Sequence, residues 1–140
     1  MRWDSLGEYL AMAVAFTSLA ETSGNEKVKV LGECLNAAVG RILNNRKSPS
    51  RSVNQIDNRA TNYYVALYWA DFLQQKDAAY KPVFDALSDN RSQIVAEFTE
   101  CQGSPVDLGG YYLFDAKKTS KAMNPSPTLN KIMSSFGPDV

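Results

Sequence analysis

One stretch in the middle of the chain constrains the fold more than any other. Residues 63–70 read YYVALYWA, and at helical spacing their side chains are apolar on nearly every face. A helix that is apolar all round has to be covered on all sides, so it lies at the centre of a fold. Asp57 or Asn58 precedes the run, and either side chain can accept the free amides at a helix start. We therefore predict a central, buried helix that begins at one of these two residues.

The first part of the chain predicts another helix. Ser5 is followed three residues later by Glu8, a spacing that is typical of a capping box at a helix start. The apolar positions that repeat at helical spacing after it are Leu6, Leu10, Ala13, Val14 and Thr17. We expect this helix to reach about residue 22 and to end at Gly24, because glycine is the common residue just past a helix end.

A second amphipathic helix follows at once. Asn25 is placed to cap it, and its apolar stripe consists of Val28, Leu31, Leu35, Ala38 and Ile42. The pattern closes at residues 44–45. Residues 46–57 are polar, contain Pro49 and lack periodicity, so they predict an ordered loop between helices.

The second half of the chain also favours helices. Residues 78–101 have a helical pattern that a break at residues 88–90 divides into two pieces, and Gly103 supplies the stop. Residues 103–114 are rich in Pro and Gly and predict a loop or a short extended segment. Ser126 followed by Pro127 predicts a short final helix to Met133. The expected fold is all-α: a single compact domain over residues 1–140 with five to six helices.

Composition and charge exclude several classes of function. The 140 residues are 44% hydrophobic and 11% aromatic, which is enough for a real core. Lys and Arg together number 15, as do Asp and Glu, so the chain lacks the basic field that binds nucleic acid or an anionic membrane. No apolar run approaches the roughly 20 residues of a membrane span, and the opening residues do not resemble a signal peptide. We expect a cytoplasmic protein that binds neither nucleic acid nor membrane.

The chain contains no histidine. This removes the commonest general base and the commonest ligand of transition metals. The sequence has no Gly-rich phosphate loop, no CxxC and no GxSxG motif. Cys34 and Cys101 are far apart and lack the spacing of metal ligands, so we predict two reduced, buried thiols and no metal site in this chain.

Five short blocks occur in a recognisable order. They are RWDSLGE at 2–8, KSPSR at 47–51, DNR at 57–59 leading into the apolar run, PVDLGGYY at 105–112 and PSPTLN at 125–130. In this order and spacing they closely resemble the C-terminal region of the monomeric type of NADP-dependent isocitrate dehydrogenase. The resemblance covers essentially the whole of this chain but only the final part of the family's much longer chain.

The resemblance implies a role for three residues. In the family, this part of the chain holds the adenosine end of NADP, with the residues at Arg2 and Arg51 gripping the 2′-phosphate and Asp4 beside them. A guanidinium offers paired N–H donors that match a phosphate's oxygens, and such contacts distinguish NADP from NAD. The family also uses a histidine that precedes the RWD block, and this chain lacks it. We expect weak NADP binding; the alternative is that Arg2 is only a terminal residue and Arg51 a solvated one.

The resemblance also implies what is missing. In the family, the carboxylates that bind Mg²⁺ or Mn²⁺, the isocitrate-binding residues and the catalytic acid and base lie in the preceding, larger part, and none of those blocks occurs here. We therefore expect a stand-alone relative that is not catalytic by itself. The alternatives are one piece of a split isocitrate dehydrogenase, or a small dinucleotide-binding or protein-interaction module. In the family, the helices of this region pack against elements that precede the RWD block. Without those elements an apolar surface is left uncovered, so we expect either a homo-oligomer or a complementary protein chain to cover it.

Three other features have a functional and a structural interpretation, and we favour the structural one for each. Residues 57–59 could bind an anion, but the simpler interpretation is that they form a capped helix start with a local ion pair. The aromatic run at 63–69 lacks interleaved Lys or Arg, so it predicts core rather than a base-stacking platform. Tyr111 and Tyr112 predict a packed corner rather than a catalytic phenol. The family usually has histidine at the position of Asn62, and His-Pro-Asp where this chain has LFD at 113–115.

Overall fold

The fold consists of α-helices joined by loops. In the computed structural model, which describes residues 4–137, the elements are α1 (Leu6–Ser23), α2 (Glu26–Asn44), α3 (Asn58–Gln74), a 3₁₀ turn (Ala78–Tyr80), α4 (Lys81–Asp89), α5 (Arg91–Glu100), α6 (Ala116–Met123) and α7 (Pro127–Phe136). There is no strand within that range. The all-α prediction is confirmed, and α6 is additional to the helices that the sequence predicts.

The centre of the fold is α3. Its buried residues are Asn58, Ala60, Thr61, Tyr63, Tyr64, Val65, Leu67, Ala70 and Leu73. They lie on several faces of the helix because α2 packs along one side while α4 and α5 pack on others. The side chain of Asp57 accepts the amides of Arg59 and Ala60 and so caps the helix. The prediction of a central, buried helix is confirmed, with Asp57 as its cap.

A helical hairpin, α1 and α2, lies against α3. Gly24 adopts the left-handed conformation, with φ of 68°, which ends α1. Asn25 then caps α2 by accepting the amides of Lys27 and Val28. Both turn residues act as their types predict, because capping depends on chemistry within a few residues. α1 packs mainly on α2, so much of its far side remains exposed.

The start of α1 differs from the prediction. Ser5 makes no capping hydrogen bond; instead, the Asp4 carboxylate accepts the Leu6 amide at 2.9 Å. The Ser5 hydroxyl donates to the side-chain oxygen of Asn58 at 3.2 Å, which joins the start of α1 to the start of α3. The predicted capping box is therefore wrong: Ser5 has a tertiary partner, and Asp4 binds the first free amide.

The second half of the fold packs α4, α5 and α7 together. Asn90 separates α4 from α5, as the sequence predicts. Ser126 caps α7 by accepting the amide of Leu129, which is also as predicted. Glu97 of α5 accepts the hydroxyls of Ser126 at 2.5 Å and Thr128 at 2.7 Å. These bonds fix the beginning of α7 on α5.

The two cysteines lie in different environments. Both are free thiols; Cys34 is buried in α2, and burial raises the pKa of its thiol. Cys101 follows the last residue of α5 and is exposed. The prediction of buried thiols is right for Cys34 and wrong for Cys101, because Cys101 lies just past the end of α5, where its side chain remains exposed.

Candidate cofactor site

The loop between α2 and α3, residues 46–57, is fixed at its start. The Lys47 amide donates to the Ile42 carbonyl at 2.9 Å, extending the contacts of the last turn of α2. The Thr61 hydroxyl, buried in α3, donates to the Lys47 carbonyl at 2.7 Å. The Lys47 ammonium lies 4.7 Å from the centre of the Tyr64 ring, a cation–π contact. These bonds hold the first residues of the loop against the central helix.

The far side of the loop is held by a residue from another helix end. Gln102 accepts the Asn54 amide at 3.1 Å and donates to the Gln55 carbonyl at 2.9 Å. Within the loop, the Ser50 amide donates to the Ile56 carbonyl at 2.8 Å. The prediction of an ordered loop is therefore confirmed, and the loop has a defined conformation on either side of Arg51.

Arg51 is exposed at the outer part of this loop. Its neighbour Ser52 donates its amide to the Ser50 hydroxyl at 3.2 Å, so the backbone on which Arg51 stands is fixed locally. Two further cations, Arg46 and Lys47, belong to the same loop, and residues 46–56 contain no acid. The sequence shows this charge pattern, but Arg46 and Lys47 are not among the predicted site residues. Together the three side chains give the loop a positive field that favours an anion.

The other predicted residues belong to the start of α1. Arg2 lies outside the described residues. Asp4 is exposed, and its carboxylate binds the Leu6 amide. Because Ser5 bonds to Asn58, this segment meets the N-terminal end of α3, which is also where the 46–57 loop ends. The hydrogen bonds and ion pairs described between residues 4 and 137 do not join Asp4 to Arg51 directly.

Residues 57–59 do not form a second anion site. The Arg59 guanidinium donates to Asp57 through Nε at 2.8 Å, and its Nη2 lies 2.7 Å from the same carboxylate oxygen. Its Nη1 donates to the Ala122 carbonyl at 2.6 Å, and Nη2 also contacts the Cys101 sulfur at 3.4 Å. The interpretation as a capped helix start with a local ion pair is confirmed. The long-range bond to Ala122 is new, and it ties α3 to the end of α6.

The aromatic residues divide into two groups. Tyr63 and Tyr64 are buried and Tyr68 and Trp69 are half-buried, so the prediction that the run belongs to the core is confirmed. Tyr111 and Tyr112, by contrast, are 82% and 88% exposed, with their rings in an edge-to-face contact at 4.8 Å. The predicted packed corner is wrong because this loop closes on itself, away from the core.

The same part of the chain shows which other groups are absent. Within residues 4–137, no cluster of three or more His, Cys, Asp or Glu side chains could hold a metal ion. Between residues 4 and 137, every helix is too short or too polar to span a bilayer. Residues 4–137 therefore bring together no set of side chains that fits a divalent metal centre.

Comparison with known proteins assigns the chain to a family. The sequence model described as monomeric isocitrate dehydrogenase matches residues 1–134. The chain belongs to the monomeric isocitrate dehydrogenase family. The resemblance carried by the five sequence blocks is thereby confirmed.

Individual relatives agree with the family match. Over 136 residues the chain is 46% identical to isocitrate dehydrogenase (NADP) 2 of Mycobacterium tuberculosis, covering 93% of this chain and 18% of that protein. It is 45% identical over 136 residues to isocitrate dehydrogenase (NADP) of Azotobacter vinelandii, with the same coverage of 93% and 18%. The Corynebacterium efficiens isocitrate dehydrogenase (NADP) is 45% identical over 142 residues, covering 97% of this chain and 20% of that protein.

The coverage figures bear directly on function. The chain spans only 18–20% of the length of these isocitrate dehydrogenase relatives. The larger part of each relative therefore has no counterpart among the 140 residues. Family membership applies to this helical region, and the activity of the whole enzyme does not follow from it.

Proposed function

We propose that this chain is a helical part of an NADP-dependent isocitrate dehydrogenase, non-catalytic alone, that supplies Arg2, Asp4 and Arg51 to the 2′-phosphate end of NADP. The observation that carries the proposal is the position of Arg51. It stands exposed on a loop that Thr61 and Gln102 fix from two different directions.

A fixed loop suits phosphate recognition for an energetic reason. Ordering a flexible backbone residue costs roughly 1–2 kcal/mol, and a loop that is already held avoids most of that cost. The Arg51 guanidinium then offers two parallel N–H donors to the phosphate oxygens, in the geometry that arginine prefers. Arg46 and Lys47 add long-range attraction from the same loop. NAD lacks the 2′-phosphate, so these cations favour NADP.

Asp4 has a different role in this proposal. Its carboxylate would repel a phosphate at short range, so it does not bind the phosphate directly. It accepts the Leu6 amide and thereby fixes the backbone at the start of α1. Asp4 is therefore a positioning residue for the start of α1.

The remaining chemistry belongs outside this chain. Oxidative decarboxylation of isocitrate by this family needs a divalent ion on the substrate and a base for the hydroxyl proton. The sequence has no histidine, and residues 4–137 bring together no set of metal ligands. Substrate, metal and proton transfer accordingly fall to the larger part of the family fold. Two unpaired thiols fit a reducing compartment such as the cytoplasm.

Calorimetric titration tests the cofactor role. NADP should bind the chain weakly but more tightly than NAD. Arg51→Ala should weaken NADP binding by more than tenfold, because a charged hydrogen-bond pair contributes about 1.5–3 kcal/mol. Arg91→Ala, which removes an exposed arginine at the start of α5, is the matched control and should leave the NADP affinity unchanged. Equal affinities for NADP and NAD would contradict the proposal.

Turnover tests the non-catalytic role. The isolated chain with isocitrate, NADP and Mg²⁺ or Mn²⁺ should produce no NADPH above a blank. NADPH formation that scales with the amount of purified chain, and that chelator abolishes, would show that the chain carries its own active site.

A further inference from the structure

The segment between α5 and α7 stands apart from the helical body. We call residues 104–123 the arm; it comprises a loop without regular structure followed by α6. Each of its residues is exposed or half-buried, and α6 contains no buried residue. The arm nevertheless carries the most exposed apolar side chains of the described chain: Tyr111 at 82%, Tyr112 at 88% and Leu113 at 87%, with Phe114 beside them at 57%.

The conformation of the arm is defined by polar contacts, two within the arm and one to the helical body. The Asp115 amide donates to the Leu108 carbonyl at 2.8 Å, which closes the loop. Lys118 of α6 forms an ion pair with Asp107 at 2.5 Å. At the end of α6, Arg59 binds the Ala122 carbonyl. The four apolar side chains at 111–114 are thus presented at the tip of a closed loop rather than on a random segment.

Exposure of these four apolar side chains to water is unfavourable in free energy. A tyrosine or phenylalanine ring buries roughly 150–250 Å² when it is covered, and burial of apolar surface contributes about 25 cal/mol per Å². Monomers rarely leave contiguous apolar patches of more than a few hundred Å² exposed without a function. Two tyrosines, a leucine and a phenylalanine in succession therefore indicate a contact surface.

The relatives have a large further region that is available to cover this surface. Alignments that span 93–97% of this chain include the arm, yet they account for only 18–20% of the relatives. In those proteins the arm accordingly belongs to a polypeptide with a much larger remainder. The family is described as monomeric, so the remainder of the same polypeptide, rather than a second copy, is available to cover the arm there.

We propose that the side chains at 111–114 dock into an apolar cleft on the larger, preceding part of the isocitrate dehydrogenase fold. That part reaches the arm either as a separate polypeptide or as further chain. The inference rests on the proposed function, since it takes this chain to be one part of a larger dehydrogenase. The inference adds a contact surface to that proposal. The arm provides this surface, and Tyr111 and Tyr112 are its most exposed rings.

The first experiment uses two polypeptides. The Azotobacter vinelandii relative without the segment that matches this chain is co-expressed with the intact chain, and the mass of the complex is measured by light scattering. The affinity is measured by titrating one purified polypeptide with the other. A one-to-one complex is expected. Tyr111→Ser with Tyr112→Ser should weaken it by more than about tenfold, as truncation of central aromatic anchors does. Tyr111→Phe with Tyr112→Phe retains both rings and should leave the affinity nearly unchanged.

The second experiment places the chain in a single polypeptide. This chain replaces the matching segment of the Azotobacter vinelandii relative, and thermal midpoints are measured for the chimera and for the isolated chain. The double Ser variant should lower the midpoint of the chimera and leave that of the isolated chain unchanged, since its rings are exposed there. A stabilising role within the chain itself would instead lower both midpoints.

Each remaining outcome overturns the docking proposal. An isolated chain that dimerises through the same two tyrosines assigns the surface to a second copy. If neither the complex nor a folded chimera forms, the arm has no partner in this fold. The same conclusion follows if the double Ser variant changes neither the affinity of the complex nor the thermal midpoint of the chimera. Arg51→Ala should leave complex formation unchanged while it removes the preference for NADP. Failure of the cofactor role and failure of the docking role are therefore seen in separate measurements.

Discussion

Gly32 of α2 lies directly against the backbone carbonyl of Ala13 in α1. A Cβ atom at position 32 would stand 3.0 Å from the Ala13 oxygen and 3.0 Å from the Phe16 Cβ, closer than ordinary contacts allow. Both neighbours are fixed atoms that cannot rotate away. Gly32→Ala should therefore push the hairpin apart and lower the free energy of unfolding by about 1–3 kcal/mol. Urea denaturation followed by circular dichroism measures the change.

Gly40 provides the control for this prediction within the same helix. A Cβ at position 40 meets nothing within 4 Å. Alanine there should stabilise the protein by about 0.5–1 kcal/mol, because glycine loses more backbone entropy in a helix. Opposite signs for Gly32→Ala and Gly40→Ala are expected. Equal signs would mean that α1 and α2 do not approach as closely as described.

Removal of the Tyr63 hydroxyl should also destabilise the protein. It donates to the Leu87 carbonyl in the last turn of α4 at 2.7 Å, and both residues are buried. Burial raises the pKa of Tyr63, so the phenol keeps its proton as donor. Tyr63→Phe removes the donor and should cost about 1–3 kcal/mol of unfolding free energy. Tyr112→Phe, at an 88% exposed side chain, should change it little, and a comparable loss there would contradict the assignment.

Glu97 should give the protein a specific dependence on pH. Burial alone would raise the pKa of this carboxyl, but hydrogen bonds from Ser126, Gln93 and Thr128 outweigh burial and lower the pKa. Because the folded pKa is depressed, the stabilisation is present above the unfolded value of about 4.3. It is lost as the pH falls through the folded pKa. Glu97→Gln should cost about 1 kcal/mol at neutral pH.

The test is a comparison of unfolding free energies at several pH values. The difference between the native chain and Glu97→Gln should shrink as the pH falls below about 4. Glu100→Gln alters an exposed carboxylate on the same helix and should show no such trend. A difference for Glu97→Gln that is constant down to acid pH would show that the loss is one of packing rather than of charge.

Features that depend on a few neighbouring residues could be predicted from the sequence. The caps at Asn25, Asp57 and Ser126 are examples, because each side chain accepts an amide two or three residues ahead. The burial of the 63–70 run was equally predictable, since no solvated face was available to it. Ser5 is the contrary case. Its partner, Asn58, is 53 residues away, and no local pattern reveals that contact.

The arm could not be predicted for a different reason. α6 reads AKKTSKAM, which has three lysines and only one large apolar residue, Met123, so Asp115 as a helix cap is the clearest sign of a helix there. The exposure of Tyr111 and Tyr112 is likewise invisible in the sequence, because an aromatic pair beside Gly-Gly is usually packed. At the candidate site, the sequence located Arg51 on an ordered loop. It did not reveal that Gln102, from the end of α5, is one of the residues that order it.

The attachment of α7 has a consequence for how the chain tolerates proteolytic cleavage. Ser126 and Thr128 bind Glu97, and Ile132 is buried against the core, so α7 is held independently of the arm that leads to it. A protease that nicks the exposed loop near Tyr112 would leave two fragments that remain associated and migrate apart only after denaturation. New chain ends, or inserted residues, can be accommodated at the same place without dismantling the helical body.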